Sequence, residues 1–477
     1  MSLINLYYDR YFFMALLMMC ILSRLVTSVF YIEDIDSLRF ALAASDYDVL
    51  SNRPHFPGYP LYCFILNSFY SLLGSLGFAF SIIGGVSVFV LIYFTWKIYQ
   101  LLTSKESYLL VIILFFNPFL WIMSNRYMPD LLGLSLLVMG IYYFINYIKT
   151  EELKSLIFLG FSIGCLSGVR LSYLPFFLPV VVLFLKTKTL KPFLISGIIF
   201  FLVWFVPWII ITDTSSLYEL ALNDANGHFY RWGGTVLSHD VALSLRVQKI
   251  IEALFADSFG FWWTGRNWMT IINTVFLSLP ILITLSSLRK TYLKNRNEVV
   301  LIIVCLMCYF LWALFFQNVL YKPRHMMPFI PFTSLILALG IDRISRKMNF
   351  KWSVLFCILI LSPYITITSK LITQHKEPSA LAQIKNLIKK NANGKTVVVS
   401  NSLKNYYFRK SIDSNIVYLN DDNYLSRINN YYQQGYKIYS TFSLSSKNFQ
   451  FKNKTHFYHN PYVNKLWSSL RIYEYEK

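Results

Sequence analysis

Apolar residues in this chain come in long unbroken runs, and polar residues gather between them. A transmembrane helix needs about 20 mostly apolar residues. Such runs fall near 11–30, 76–96, 107–124, 131–148, 155–168, 172–185, 192–211, 268–286, 298–316, 326–341 and 352–371. The pattern predicts a polytopic α-helical membrane protein with about eleven spans. The runs are continuous and not alternating, which argues against a membrane barrel. One set of connecting loops carries the cations: Lys97 and Lys105; Lys149 and Lys154; Lys186, Lys188 and Lys191; Arg289, Lys290, Lys294 and Arg296; Arg343, Arg346, Lys347 and Lys351. Basic loops stay cytoplasmic, so the N-terminus is expected inside. The acidic run Glu33-Asp34-Ile35-Asp36, the loop 125–130, the long loop 212–267, the segment 322–327 and the tail are then expected outside. This alternation requires that 155–185 be two helices.

The pattern changes near residue 373. Ala380–Lys390 has helical periodicity, Thr396–Ser400 and Asn415–Leu419 read as strands, a helix follows near 424–434, and a strand near Lys437–Thr441. The expected organisation is a membrane module over 1–372 and a small extracytoplasmic α/β domain over 373–477. The tail carries no catalytic motif. The loop 212–267 is expected to hold short surface helices, with Trp232, Trp262, Trp263 and Trp268 at the membrane interface.

Composition agrees with the pattern. Hydrophobic residues make up 56% and charged residues 14%, with mean hydropathy +0.47; soluble domains carry about 25% charged residues. The net charge of +20 lies largely in short loops and suits an anionic inner leaflet. A nucleic-acid partner is not expected. All six cysteines lie in apolar runs. Cys305 and Cys308 form a C-x-x-C without a second pair, inside an expected helix, and read as ordinary span residues. No small-residue cleavage site stands out, so the first run is expected to be retained as a span. No phosphate-binding glycine loop, zinc spacing or nucleophile elbow is present.

Four polar groups sit at the outer ends of spans. The first is the acidic run, continuing Ser37-Leu38-Arg39-Phe40-Ala41, then Asn52-Arg53-Pro54-His55-Phe56-Pro57-Gly58-Tyr59-Pro60-Leu61-Tyr62. Asp36 can cap a helix or take a proton from an acceptor. The Pro-Gly-Tyr-Pro run imposes a tight turn. That turn holds His55 near the carboxylates, unless His55 is a simple surface residue. The second is Ser124-Asn125-Arg126-Tyr127-Met128-Pro129-Asp130, where Asp130 suits the first turn of a helix. The third is Arg170 between two apolar segments, which needs an internal acid or a lipid phosphate. The fourth is Lys322-Pro323-Arg324-His325, either a phosphate site or an interfacial cluster. Arg24, inside the first run near its outer end, reads as a snorkelling residue.

These residues carry a resemblance. Asp36-Ser37-Leu38-Arg39-Phe40-Ala41 and Pro57-Gly58-Tyr59-Pro60-Leu61-Tyr62 resemble the first external loop of the GT-C superfamily, in its aminoarabinose-transferase and protein O-mannosyltransferase branch. Gly168-Val169-Arg170 with Pro175, and Arg324-His325 with Pro328, resemble further parts of it. The chain departs from the pattern twice: Ser37 stands for the second acid of an Asp-Glu pair, and Phe56 for a proline. The resemblance implies a multi-spanning, inverting glycosyltransferase with a polyprenyl-phosphate sugar donor bound at the outer leaflet. It implies Asp36 as base by register, with Asp34 as competitor, and Asp130 as a second acid that orients the acceptor or binds a metal. It implies phosphate binding by Lys322 and Arg324, with His325, His55, Arg126 or Arg170 nearby. No cofactor is required, although a divalent cation is compatible. The acceptor is a glycan, a lipid or a protein. The rival readings are a transporter or flippase, a polymerase of lipid-linked saccharides, and a non-catalytic scaffold.

Overall fold

The computed structural model describes residues 3–185, 189–238, 241–392, 394–412, 415–422, 424–444, 449–460 and 467–477. The membrane module opens with α1 (Leu3–Val26), α2 (Ile35–Ala43), α3 (Pro60–Leu73), α4 (Leu76–Thr103), α5 (Tyr108–Phe115), α6 (Pro118–Asn125), α7 (Asp130–Thr150) and α8 (Leu153–Val169). A 3-10 turn, Leu171–Phe177, leads into α9 (Leu178–Phe184) and α10 (Leu190–Ile211). Then come α11 (Thr214–Asn226), α12 (Leu243–Ile251), α13 (Trp268–Lys294) and α14 (Arg296–Phe316). A second 3-10 turn, Pro323–Phe329, leads into α15 (Ile330–Ser345) and α16 (Phe350–His375).

Among the described residues, seven helical runs are long and apolar enough to cross a membrane, and the bent pair α5–α6 makes an eighth. These match eight of the expected spans. The expected 11–30 is α1, which stops at Val26, and the expected 155–168 and 172–185 are the shorter helices α8 and α9 with its 3-10 lead-in. The break falls at Arg170, so 155–185 is two elements.

The basic loops gather at one end of the bundle. There Lys149 Nζ donates to the Leu101 carbonyl at 2.8 Å, and Asn295 Nδ2 to that of Leu102 at 2.6 Å. Lys186 and Lys188 lie outside the described residues, as do the side chains of Arg289, Lys290 and Lys294. The opposite end carries α2, the loop 44–59 and the tail.

The span pattern does not show α3. Its 14 residues reach only about 21 Å at 1.5 Å per residue. Both its ends lie on the polar side of the bundle: Tyr59 precedes it, and Gly77, just after it, sits beside Phe30 and the Val29 carbonyl. The helix therefore lies along that face and does not cross.

The bend between α5 and α6 is 53°. Pro118 starts α6 and Asn117 caps it, accepting from the Leu120 amide at 2.9 Å. A break inside a membrane leaves carbonyls that must be satisfied by protein. Tyr364 and Thr368 of α16 donate to the carbonyls of Ile113 and Phe116 at 3.1 and 2.7 Å. Arg24 takes the third. Its guanidinium donates to the Phe115 carbonyl at 3.0 Å and to Ser124 Oγ at 3.3 Å, and lies 3.8 Å over the Trp121 ring. Arg24 is fully buried, so the snorkelling expectation is corrected: the freed backbone of a broken helix holds it inside. Close packing at this level needs Gly84, where a Cβ would stand 1.8 Å from the Ser124 carbonyl oxygen.

The tail has α17 (Ala380–Asn391), β1 (Thr396–Ser400), α18 (Ser402–Ser411), β2 (Ile416–Asn420), α19 (Leu425–Gln433), β3 (Lys437–Ser440), β4 (Phe451–Tyr458) and β5 (Ser469–Tyr475). The sheet order is β2-β1-β3-β5-β4, parallel across β2-β1-β3 and antiparallel at β3-β5-β4. The sequence pattern missed α18, β4 and β5. The edge strand β4 is exposed along most of its length, so no apolar alternation marks it.

Arg24→Met should destabilise the protein by about 3 kcal/mol, because it orphans a buried carbonyl and removes the stacked cation. Thermal unfolding in detergent measures this; a change within about 0.5 kcal/mol would mean the guanidinium supports nothing.

Candidate active site

The acidic run is divided between two jobs. Asp34 takes an extended backbone and caps α2, with its carboxylate accepting from the Ser37 amide at 2.8 Å. Ser37 Oγ accepts in return from the Asp34 amide at 2.8 Å, closing a capping box. The cap expected of Asp36 is thus supplied by Asp34, and the serine that departs from the family pattern is the residue that completes it. Asp36 stands in the first turn of α2.

Asp36 is 2% exposed. Its Oδ2 lies 2.7 Å from Lys322 Nζ and 2.5 Å from Arg324 Nη2, and its Oδ1 lies 3.5 Å from Arg39. The 3-10 turn at Pro323–Phe329 brings both distant cations here. Asp130, the first residue of α7, pairs with Arg170 at 2.9 Å and approaches Arg324 Nε at 3.6 Å. The break between α8 and α9 points Arg170 inward, where it donates to the Tyr59 hydroxyl at 3.2 Å. That hydroxyl lies 3.1 Å from His55 Nε2. One connected set therefore joins Asp36, Arg324, Asp130, Arg170, Tyr59 and His55. Tyr59 was legible only as part of a turn. Gly58 before it has φ +80°, and a Cβ there would stand 2.8 Å from the Tyr47 hydroxyl.

Glu33, Asp34 and Arg126 form a separate cluster. Arg126 Nε lies 3.1 Å from Glu33, and its Nη2 pairs with Asp34. His375 pairs with Glu33 from the other side. The structure thus places Arg126 on two carboxylates, within electrostatic reach of Asp130 and Asp36. His325 is buried beside Arg324 on the same turn, and its backbone carbonyl accepts from Tyr309 at 2.8 Å.

The tail closes over these groups. Ser379 donates to the Ile32 carbonyl. At the far side of the loop, Asp46 accepts from Tyr406, pairs with Arg53 at 3.0 Å and lies 3.6 Å from Lys410.

Burial alone would raise the Asp36 carboxyl, but Lys322 and Arg324 outweigh it and hold the group well below the usual carboxylate range. His55 is pushed down to about 3 by burial, against the pull of Asp36 and with the help of Arg39, Lys322 and Arg170. Its ring is therefore neutral. Four cations (Arg39, Arg170, Lys322, Arg324) stand around Asp36 and Asp130, with Asp34 also acting on Lys322 and Asp224 on Arg39, and guanidinium and ammonium groups gathered in this way can bind an anion. Among the described residues no group of three His, Cys, Asp or Glu side chains stands together as a metal cage.

Two solved structures share this architecture. The apo structure of ArnT from Cupriavidus metallidurans aligns over 98% of each chain with TM-score 0.57 and 9% identity. The same protein bound to undecaprenyl phosphate aligns over 97% of each chain with TM-score 0.56 and 9% identity. The chain has the fold of these ArnT structures. The family model for dolichyl-phosphate-mannose-protein mannosyltransferase matches residues 53–211. No curated protein sequence gives a significant match. The matched segment holds His55, Arg126, Asp130 and Arg170. Asp36, Lys322 and Arg324 lie outside it, and the fold brings them to the same place.

The His55 environment has a measurable consequence. A histidine held low in the folded state takes up its proton on unfolding, so its stabilisation is complete above about pH 6.5 and fades as pH falls toward 3. His55→Asn should lose about 1.6 kcal/mol less stability than the native chain between pH 6.5 and 5. Thermal unfolding at the two pH values checks this, and parallel losses in both proteins would refute it.

Proposed function

We propose that this protein is a membrane glycosyltransferase that moves a sugar from a polyprenyl-phosphate donor to an acceptor on the extracytoplasmic face of the cell membrane, with inversion. The sugar is mannose-like or another hexose or pentose. The carrying observation is the Asp36 carboxylate seated on Lys322 and Arg324, with Arg39 beside it and Arg170 on the neighbouring Asp130. In this reading the N-terminus is cytoplasmic and the tail is extracytoplasmic.

The geometry suggests an order of events. Alone, Asp36 is a weak base, because two cations stabilise its charged form. A donor phosphate that engages Lys322 and Arg324 takes those cations as its own counter-ions. Asp36 then regains basicity when the donor is in place. The acceptor heteroatom attacks the anomeric carbon from the face opposite the phosphate. Its proton passes to Asp36, a bond forms to the anomeric carbon, and the carbon–oxygen bond to phosphate breaks. The electron pair leaves with the phosphate, where Lys322 and Arg324 stabilise the developing charge. Asp130 fixes Arg170 and Arg324 in position. The reading does not require a metal, and a divalent cation remains compatible with it.

A transporter would use a broken helix near the midplane as a substrate site. The break between α5 and α6 is filled by Arg24, Tyr364 and Thr368, which favours the transferase.

Purified protein incubated with radiolabelled polyprenyl-phosphate mannose and candidate acceptors should transfer label. Asp36→Asn should lower kcat by about 10²–10⁴-fold, and Arg324→Ala should raise the KM for donor. Undiminished transfer by Asp36→Asn would sink the base assignment. An accessible cysteine placed at Lys389 should react with an impermeant thiol reagent from outside; labelling only from the cytoplasm would overturn the whole orientation.

A further inference from the structure

Two cavities lie side by side between the membrane module and the tail. One, of about 540 Å³, opens between the loop 252–270, the C-terminal part of α16 and the end of β4. The other, of about 230 Å³, reaches from there to Tyr31 and Glu33. They share Leu371, Gln374, Tyr458 and Asn460 as a common wall. The larger has the volume of an ordinary small-molecule site at a domain boundary.

The lining chemistry narrows the ligand. The charges lining the larger cavity balance, Glu252 and Asp257 against Arg266 and Lys370, and the smaller cavity adds Glu33 and Glu377. A phosphate would find no excess of cations there. Between these charges stand amides and hydroxyls, which offer both donors and acceptors. Asn460 Nδ2 donates to Gln374 Oε1 at 2.7 Å across the shared wall. The Tyr458 ring is 59% exposed at the boundary of the two cavities and presents an apolar face with a polar tip. Matched charge, paired amides and an open ring suit a polyhydroxylated, weakly charged ligand. The smaller cavity then leads to Glu33, whose partner Arg126 also holds the cap of α2.

We propose that these joined cavities bind the saccharide portion of the acceptor, between the tail and the segment at Tyr31 and Glu33 that leads into α2. The proposal rests on the transferase reading and deepens it: the tail becomes part of acceptor recognition, and the acceptor carries sugar before the reaction.

The test uses the full chain in its own membrane. A photoreactive p-benzoylphenylalanine replaces Tyr458, and in a control replaces Phe350, which is exposed far from the cavities. After illumination, adducts are analysed by mass spectrometry and acid hydrolysis. The expected result is a saccharide-containing adduct at 458 and none at 350. Adducts of peptide or of sugar-free lipid at 458, or no adduct above the control, would overturn the proposal. With the captured saccharide as acceptor, Thr264→Trp, which fills the larger cavity, should raise acceptor KM at least tenfold and leave kcat and donor KM within twofold. A rise in donor KM alone would also count against it. Capture at 458 together with normal transfer by Asp36→Asn would refute the proposed chemistry and leave the binding site standing.

Discussion

The ion pairs of Asp36 with Lys322 and Arg324 join segments nearly 290 residues apart. A carboxylate buried at the edge of a bilayer is costly unless matched, and the match here comes from the far end of the membrane module. The cost of leaving any of the three unpaired makes the approach of α2 to the turn before α15 a requirement of folding. The same pairs draw further charges together, because Arg324 also leans toward Asp130 and so brings Arg170 into the set. One constraint thus gathers five charged side chains from four separate parts of the chain.

The membrane architecture was legible because the bilayer demands long apolar runs, and the polar side of the bundle was legible because cations collect on the other side. The helix α3 was not, since 14 residues lying along a surface mimic neither a span nor a loop. Arg24 was read as reaching outward because nothing local in the sequence announces a broken neighbouring helix. The fold supplies that fact through Phe115, some 90 residues away.

The site was legible in part. Asp36, Asp130, Arg170, Lys322 and Arg324 were all marked by charge at span ends, and the fold gathers them. What the sequence could not apportion was the acidic run itself. Asp34 and Asp36 are equivalent by composition, and only the capping box with Ser37 separates the one that shapes the helix from the one that faces the cations. Tyr59 and His375 carried no signal, because a tyrosine in a turn and a histidine at a helix end are ordinary.

The loop that carries the site is fastened to the tail at both ends: through Glu33 and Ile32 to His375 and Ser379, and through Asp46 to Tyr406 and Lys410. A strap pinned at two points cannot swing open on its own. Any widening of the site must either slide within the plane of the strap or carry the tail with it as a rigid cover. On the flank beside α3 the same loop is held a third time, with Tyr47, Phe56 and Leu61 packed against Trp204 and Trp208 of α10 and Leu217 of α11.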